Sequence, residues 1–253
     1  MPAWPYPLWI AHRGAGKLAP ENTLAAFRLG ANYGYRAFEC DVKLSADEVP
    51  FLMHDSTLER TSSGHGIAGE RPWGELSTLD AGSWHSRSHA GEPLASLDAI
   101  ASFCLHNAYA LNIEIKPTPG AAVQTGRIVA GHAARLWAGR EVQPLLSSFE
   151  PDALRAARDA APQLRRALLL DKLLDGWFDE VQALGCVAVV TNHAVMDATT
   201  MERLHGAGLR ALVYTVNDPA EADRLLRLGI DGIITDAVDR FAPASAAPGD
   251  QLR

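Results

Sequence analysis

Short apolar segments alternate with helical patterns along nearly the whole chain of 253 residues. This alternation is typical of repeated βα units, in which helices connect the strands of a parallel sheet. The pattern predicts nine strands, which are Trp9–His12, Ala37–Val42, Pro50–His54, Leu111–Ile115, Leu145–Phe149, Ala167–Leu170, Cys186–Thr191, Leu212–Val216 and Gly232–Thr235. Nine strands are one more than a (β/α)8 barrel holds.

Helix-capping residues support the same alternation. A helix predicted over Thr23–Ala31 is closed by Gly34, and one predicted over Ala220–Leu228 has Asp218 as its N-cap and Gly229 at its end. Such caps satisfy backbone groups that a helix leaves unpaired at its two ends. The chain is therefore expected to belong to the α/β class.

The ninth strand is explained by a short connection. Only seven residues separate the second predicted strand from the third, whereas a parallel crossover needs about a dozen or more. The two strands must therefore form a hairpin, which leaves eight strands for a (β/α)8 TIM barrel. If the turn centres on Ala46–Asp47, Asp41 lies opposite Leu52 and Glu39 lies opposite His54, and opposed residues share a face of the sheet.

Residues 55–93 are rich in Gly, Ser and His and interrupt the βα pattern. We predict an insertion after the second strand, at the carboxyl end of the barrel, where loops usually shape a substrate site; a plain surface loop is the alternative. Trp84 within it either covers the substrate or anchors the insertion to a small core of its own. Residues 1–243 are predicted to form one barrel domain, and residues 244–253 a flexible tail.

Composition and charge narrow the range of partners. The hydrophobic content of 47% is enough for a substantial core. A formal charge of −7 and a pI near 5.7 argue against a protein that binds nucleic acid or an anionic membrane. The three widely spaced cysteines suit reduced thiols, and we see neither a signal peptide nor a membrane span. We therefore expect a cytoplasmic protein without stable membrane association.

Three carboxylates are expected to converge where strands end. Strand alternation places Glu39 and Asp41 on one face of the second strand, and Glu114 near the end of the third barrel strand. Buried carboxylates repel one another unless a cation lies among them, and an all-oxygen set favours Mg²⁺, or Ca²⁺ as the alternative, over zinc. A buried salt-bridge network with Arg13 and Lys116 is the competing interpretation.

Two histidines and two cationic side chains occupy the same strand ends. His12 and His54 are acid–base candidates because imidazole titrates near neutrality, although either one alone could be a structural histidine. Arg13 and Lys116 could hold a phosphate. Together with a hard cation, this set suits phosphodiester cleavage, in which charge on the phosphoryl oxygens must be stabilised while an alcohol leaves.

The ordered segments AHRGAGKLAPENTLAAF, FECDVKLSADEVPFLMHD, NIEIKP, LLSSF, LVYTVND and DGIITD resemble the motifs of the glycerophosphodiester phosphodiesterases, from about Trp4 to Phe241. The resemblance is closest to the short cytosolic bacterial type, within the barrels of the phospholipase C-like phosphodiesterases. It implies a barrel with an insertion after its second strand and assigns roles to residues of this chain. The implied roles are a divalent cation on Glu39, Asp41 and Glu114, catalysis by His12 and His54, and substrate contacts from Arg13, Lys116, Glu21 and Tyr214.

The resemblance further implies hydrolysis of glycerophosphodiesters, such as glycerophosphocholine or glycerophosphoethanolamine, to sn-glycerol 3-phosphate and an alcohol. The expected route passes through a cyclic 1,2-phosphate, and direct attack by a metal-activated hydroxide is the alternative. A related lyase or lysophospholipase D that acts on lysolipids, and a catalytically silent ligand-binding barrel, are the competing functions. The sequence leaves open the head group, the physiological metal and the oligomeric state, and whether Glu21, Trp84, Asn217 and Asp236 are functional or structural.

Overall fold

Eight parallel strands close into a barrel in the computed structural model, which describes residues 4–241 and residue 243. The strands are β1 (Trp9–Ala11), β2 (Ala37–Leu44), β3 (Pro50–Leu52), β4 (Ala110–Ile115), β5 (Leu145–Ser148), β6 (Arg165–Leu170), β7 (Ala188–Asn192), β8 (Arg210–Tyr214) and β9 (Gly232–Thr235). The ring runs β1-β2-β4-β5-β6-β7-β8-β9 and closes between β9 and β1, while β3 lies antiparallel to β2. The prediction of a (β/α)8 barrel with an added hairpin is confirmed, and the predicted tail over 244–253 lies outside the described residues.

The helices follow the strands in the order that the sequence predicts. They are α1 (Leu24–Asn32), α2 (Trp73–Leu76), α3 (Leu97–His106), α4 (Ala122–Leu136), α5 (Pro151–Ala160), α6 (Trp177–Ala183), α7 (Ala198–Gly206) and α8 (Pro219–Leu228). Thr23 caps α1 and Asp218 caps α8, each by accepting a backbone N–H of the first turn. Among the described residues, no helix combines the length and apolar character needed to cross a bilayer.

The predicted register of the β2–β3 hairpin is wrong by one residue. Val42 pairs with Leu52, rather than Asp41 with Leu52. The turn is centred one half-residue later than expected, because the Ser45 N–H donates to Val49 O and Glu48 adopts a left-handed φ of 63°. A left-handed third residue is typical of three-residue hairpin loops. The strand pairing of β3 also ends at Leu52, so His54 lies in a loop rather than opposite Glu39.

β3 can pair with β2 because β1, which shares the same edge of β2, is short. β1 pairs with β2 only at Ala11 and Phe38, so the later part of the same β2 edge is free for β3. On its other edge β2 pairs with β4 from Ala37 to Val42. The final residues of β2 therefore extend past the barrel, and β3 brings the chain back to the carboxyl end of the barrel.

The interior of the barrel is apolar over the amino-terminal part of the strands and polar above it. Small and branched side chains from alternating strand positions fill the lower part, namely Ile10, Ala37, Ala110, Leu145, Ala167, Leu169, Ala188, Val190, Leu212 and Ile234. Two residues further along β2 and β4, the inward positions are Glu39 and Asn112, which are register partners and are both buried. The apolar layer thus forms a dry floor beneath a polar end, as expected for a TIM barrel.

Residues 55–93 pack around a small apolar core that continues from the hairpin. The core consists of Phe51, Met53, Leu58, Ala68, Leu76, Ala81 and Leu94, with Trp73 and Leu79 against it. Trp84 lies outside this core and is 40% exposed, with its Nε1 donating to Ala81 O at 2.7 Å. Trp73, rather than Trp84, is therefore the tryptophan that packs against the core of the insertion.

Candidate active site

A pocket of about 220 Å³ opens at the carboxyl end of the barrel. Seven of the nine side chains that the sequence predicts for the site line it, namely His12, Arg13, Glu39, His54, Glu114, Lys116 and Tyr214. Asp41 is buried beside them, 1% exposed, and Glu21 contacts Arg13 from outside the pocket. The fold thus gathers residues of β2, β4 and β8, and of the segments that follow β1, β3 and β4, around one opening.

The three predicted metal ligands form a compact buried group. Glu39, Asp41 and Glu114 each offer a carboxylate oxygen, and these atoms lie within 4.8 Å of one another. Their spacing follows from the register, since Asp41 is the partner of Glu114 on the neighbouring strand. Among the described residues, Glu39 Oε1 and Asp41 Oδ1 are buried without a hydrogen-bond donor. Buried oxygens of this kind need a partner, and a hard divalent cation fits them.

The carboxylates differ sharply in their electrostatic surroundings. Burial and the neighbouring charge of Asp41 raise the pKa of Glu39 to about 8. Burial also acts to raise the pKa of Asp41, but the positive charges of Arg13 and Lys116 outweigh it and hold that pKa below its ordinary value. A divalent cation would supply the positive charge that Glu39 lacks.

Polar neighbours hold Asp41 from several sides. Asn22 Nδ2 donates to Asp41 Oδ2 at 2.8 Å, and the Asp41 N–H donates to Asn22 Oδ1 at 3.1 Å. Arg13 Nε lies 3.2 Å from Oδ2, and Lys116 Nζ lies 3.5 Å from Oδ1 and 2.8 Å from Glu114 Oε1. Asn22, which directly precedes the N-cap of α1, therefore orients a predicted ligand.

His12 is held by a carboxylate that the sequence left unassigned. Its Nδ1 lies 2.6 Å from Asp236 Oδ1, and its Nε2 points toward Glu39 Oε2 at 3.8 Å. Burial lowers the pKa of His12, but the hydrogen bond to Asp236 and the charge of Glu39 outweigh burial, so the pKa is raised overall. Asn217 Nδ2 donates to Asp236 at 3.2 Å, which orients this carboxylate in turn. Both residues that were left open thus support His12.

His54 has a matching carboxylate next to it in the chain. Its Nδ1 lies 2.7 Å from Asp55 Oδ1. Burial lowers the pKa of His54, and the positive charges of Arg13 and Lys116 lower it further. The two histidines therefore carry opposite pKa shifts. Sequence reasoning missed Asp55, although its position directly after His54 was the available signal.

Lys43 is a second residue that sequence reasoning missed. Its side chain is fully buried, and Nζ donates to the backbone oxygens of Met53, His54 and Lys116 at 2.9, 3.2 and 3.3 Å. All three ammonium protons are used, so this one side chain ties the loop of His54 to the end of β4. The signal was its position two residues after Asp41, on the face that the ligands share.

Aromatic side chains border the mouth of the pocket. Tyr214 and Phe149 meet edge to face with ring centroids 5.7 Å apart, and Lys116 Nζ lies 5.7 Å from the centre of the Phe149 ring. Phe149 is 39% exposed and follows β5 directly, in the segment LLSSF. The ring pair gives the pocket an apolar wall beside its charged side chains.

Comparison with known proteins assigns this arrangement to a family. Residues 12–240 match the model of the glycerophosphoryl diester phosphodiesterase family. A glycerophosphodiester phosphodiesterase of Caldanaerobacter subterraneus subsp. tengcongensis is 30% identical over 237 residues, covering 90% of this chain and 93% of that protein.

Solved structures agree with the sequence comparison. A phosphodiesterase of Oleispira antarctica, in complex with the product sn-glycerol-3-phosphate, superposes with a TM-score of 0.86 at 30% identity, covering 93% of this chain and 95% of that one. A glycerophosphodiester phosphodiesterase of Agrobacterium tumefaciens has a TM-score of 0.78 at 28% identity, covering 93% and 99%. The chain therefore belongs to the glycerophosphoryl diester phosphodiesterase family and is an enzyme of the phosphoric diester hydrolase class.

Proposed function

We propose that this enzyme hydrolyses small glycerophosphodiesters, such as glycerophosphocholine or glycerophosphoethanolamine, to sn-glycerol 3-phosphate and an alcohol, with one divalent cation. The observation that carries the proposal is the buried group of Glu39, Asp41 and Glu114, with two oxygens that accept no hydrogen bond, beside two carboxylate-bound histidines. The product complex of the Oleispira relative supports the same substrate class. The three free, buried cysteines favour a reducing, cytoplasmic setting.

Glu39, Asp41 and Glu114 would hold the cation, with Mg²⁺ the first choice and Ca²⁺ the alternative because both prefer oxygen ligands. When bound, the cation supplies positive charge to the phosphoryl oxygens as the transition state forms. Arg13 and Lys116 line the same pocket, and their positive charges would bind the phosphate. Glu21 and Tyr214 contribute to substrate binding, Glu21 through its contact with Arg13 and Tyr214 through its ring.

The histidines are oriented for proton transfer at Nε2. An ionised carboxylate only accepts hydrogen bonds, so Asp236 and Asp55 place a proton on Nδ1 of His12 and His54 respectively. Nε2 of each neutral ring then carries a free lone pair. One ring enters the step neutral and accepts the proton of the glycerol 2-hydroxyl at Nε2; the other enters as the imidazolium and donates its Nε2 proton to the departing alcohol oxygen.

The 2-hydroxyl oxygen attacks phosphorus, the bond from phosphorus to the alcohol oxygen breaks, and a cyclic 1,2-phosphate forms. Water then opens the ring while the histidines exchange roles, which yields glycerol 3-phosphate. A tethered nucleophile avoids the entropic cost of ordering a water molecule, and effective molarities can reach about 10⁵ M or more. This advantage is the physical reason to prefer the cyclic route to direct attack by hydroxide.

A substrate analogue separates the two routes. A phosphodiester of propane-1,3-diol keeps the phosphate and the leaving group but lacks the 2-hydroxyl. We expect this analogue to bind as a competitive inhibitor and to be cleaved at a small fraction of the rate of the glycerol diester. Turnover within a fewfold of the glycerol diester would exclude the cyclic route while leaving the hydrolase activity intact.

A further inference from the structure

Arg60, near the start of the insertion, contacts two carboxylates at once. Its Nε and Nη2 lie 2.6 and 2.9 Å from the two oxygens of Asp55. Its Nη1 and Nη2 lie 2.9 and 2.7 Å from the two oxygens of Glu21. Two-point contacts fix the orientation of both partners, because the guanidinium is planar and holds its donors in a rigid fork.

Each of these carboxylates bonds in turn to a residue of the proposed site. Asp55 Oδ1 lies 2.7 Å from His54 Nδ1, and Glu21 Oε1 accepts from Arg13 Nη1 at 2.9 Å. Arg60 is thus one side chain removed both from a histidine proposed for proton transfer and from an arginine proposed for phosphate binding. It links these two residues through a part of the chain that is not in the barrel.

The contacts of Arg60 hold the carboxylate that His54 Nδ1 faces. The hydrogen bonds from Arg60 hold the pKa of the Asp55 carboxyl below its ordinary value and, by contacting both oxygens, fix the orientation of this ionised acceptor. An ionised Asp55 fixes the His54 proton on Nδ1 and leaves Nε2 free. Without Arg60, Asp55 and Glu21 would each lose two hydrogen bonds, and each would keep a single contact, to His54 and to Arg13 respectively.

Stability alone is a weak reason for these contacts. The Arg60 side chain is 44% exposed, and exposed ion pairs contribute little to the free energy of unfolding. The insertion has an apolar core of its own, built on buried side chains such as Leu58 and Leu76. Removal of Arg60 should therefore leave the insertion folded and change mainly the side chains that it orients.

We propose that Arg60 is a positioning residue: through Asp55 it sets the tautomer and orientation of His54, and through Glu21 it sets the orientation of Arg13. This inference rests on the proposed function. The insertion thereby contributes to the reaction indirectly. Its Arg60 side chain does not touch the substrate, but it fixes the position of His54, the proton-transfer residue, relative to Arg13, the phosphate-binding residue.

The test compares Arg60→Gln with Arg71→Gln. Arg71 is an exposed arginine of the same insertion, 3.8 Å from Glu75 and 51% exposed, so it is a matched control. We expect Arg60→Gln to lower kcat about 10- to 100-fold, as is typical when a residue that orients an active-site side chain is removed. KM should rise as Arg13 loses its orientation. Arg60→Lys should restore only part of the activity, because an ammonium cannot make the two-point contacts. Arg71→Gln should behave as wild type.

A second variant shows whether Arg60 acts on His54 through Asp55. In an Asp55→Asn background, Arg60→Gln should lower kcat by a much smaller factor than it does in wild type, because both substitutions remove the same support of His54. Equal factors in the two backgrounds would show that Arg60 does not act through Asp55.

Nitrogen NMR of the histidine rings gives a readout that is independent of turnover. In wild type and Arg71→Gln, neutral His54 should carry its proton on Nδ1 only; in Arg60→Gln a mixture of the two tautomers should appear. Unchanged kinetics and an unchanged tautomer in Arg60→Gln would overturn the inference, as would lost activity with an unchanged tautomer and a collapsed melting temperature. If the wild type releases no glycerol 3-phosphate, the proposed function fails, and the tautomer comparison still decides the role of Arg60.

Discussion

Glu39 and Asp41 lie two residues apart on the buried face of β2, and their pKa values move in opposite directions. Asp41 has Arg13 and Lys116 beside it, whereas Glu39 faces His12 and the other carboxylates. A strand tolerates such a pair only if the missing positive charge is supplied. Lys116 also pairs with Glu114 Oε1, so among the described residues Glu39 is the predicted ligand that makes no ion pair with a lysine or arginine, and a bound cation would supply that charge.

The histidines give the first prediction at this scale. His12→Ala and His54→Ala should each lower kcat by at least ~100-fold, the effect of losing a positioned acid or base. Melting temperatures should stay close to that of wild type, because both side chains lie at the pocket rather than in the apolar layers. His65→Ala, at an exposed position of the insertion, is the control. Wild-type kcat in either active-site variant would make that histidine structural.

The sequence predicted which residues meet but not all of what holds them. His12, Glu39, Asp41 and Glu114 stand at strand ends, where alternation and barrel topology bring them together. The bond between His12 and Asp236 joins positions 224 residues apart, and no local pattern distinguishes Asp236 from a residue that closes a turn. Asp55, in contrast, directly follows a candidate histidine and could have been found.

At the scale of elements, the helices α7 and α3 end with the same backbone motif. In α7 the backbone N–H of Leu209 donates to Leu204 O across Gly208, which has a φ of 75°. This six-to-one bond across a left-handed residue is the Schellman motif. α3 ends in the same way, with the Tyr109 N–H donating to Cys104 O, but the left-handed residue is Ala108 at a φ of 55°. A side chain there is strained.

The end of α3 gives the second prediction. Ala108→Gly should raise the free energy of unfolding by about 0.5–1 kcal/mol, because glycine adopts a positive φ without steric cost. Ala207→Gly, at a φ of −87° beside the equivalent end of α7, should instead be neutral or destabilising. Urea unfolding of both variants measures the difference. A destabilised Ala108→Gly would mean that the left-handed conformation at this position is not strained.

α8 gives the third prediction, which concerns pH. Glu221 accepts a hydrogen bond from Arg224 at 2.7 Å and lies 2.7 Å from His193 Nδ1. These two contacts lower the pKa of Glu221 to about 2, and the contact with Arg224 has the larger effect. A carboxyl with a depressed pKa in the folded state stabilises the protein above its ordinary pKa of 4.5, and this contribution is lost as pH falls toward about 2.

At pH 6, Glu221→Gln should therefore unfold at a lower urea concentration than wild type. The gap between the two urea midpoints should narrow as pH falls from 5 to 3. Other carboxylates titrate in both proteins and cancel in the comparison. Glu202→Gln, at an exposed position of α7, should show no gap at any of these pH values. A gap of constant size for Glu221→Gln would show that ionisation of Glu221 contributes nothing.

The hairpin shows the limit of prediction for an element. Its existence follows from the seven-residue connection between the predicted strands, but its register depends on the left-handed Glu48 and on the Ser45 side chain, which accepts from the Val49 N–H at 2.9 Å. Neither residue is the glycine that usually marks such a turn. His54 reaches the pocket through a loop that Lys43 fastens, which strand pairing alone could not reveal.

At the scale of the whole molecule, the βα alternation was enough to predict the barrel and the end at which its chemistry lies. Most strands are short and largely apolar, and α1, α3, α7 and α8 each begin at a side-chain cap, so the elements compete with few alternatives. The interior of the insertion was not predictable in the same way. Its core around Trp73 and the contacts of Arg60 arise from loop residues without a repeating pattern.

The central claim is that a divalent cation held by Glu39, Asp41 and Glu114 enables release of glycerol 3-phosphate from a glycerophosphodiester. The most direct measurement is a coupled assay for glycerol 3-phosphate with glycerophosphocholine and glycerophosphoethanolamine, before and after dialysis against chelator, and after Mg²⁺ or Ca²⁺ is restored. We predict activity in wild type, its loss in chelator, its recovery with the cation, and no comparable recovery in Glu39→Gln. Full turnover in excess chelator, or in Glu39→Gln, would contradict the account.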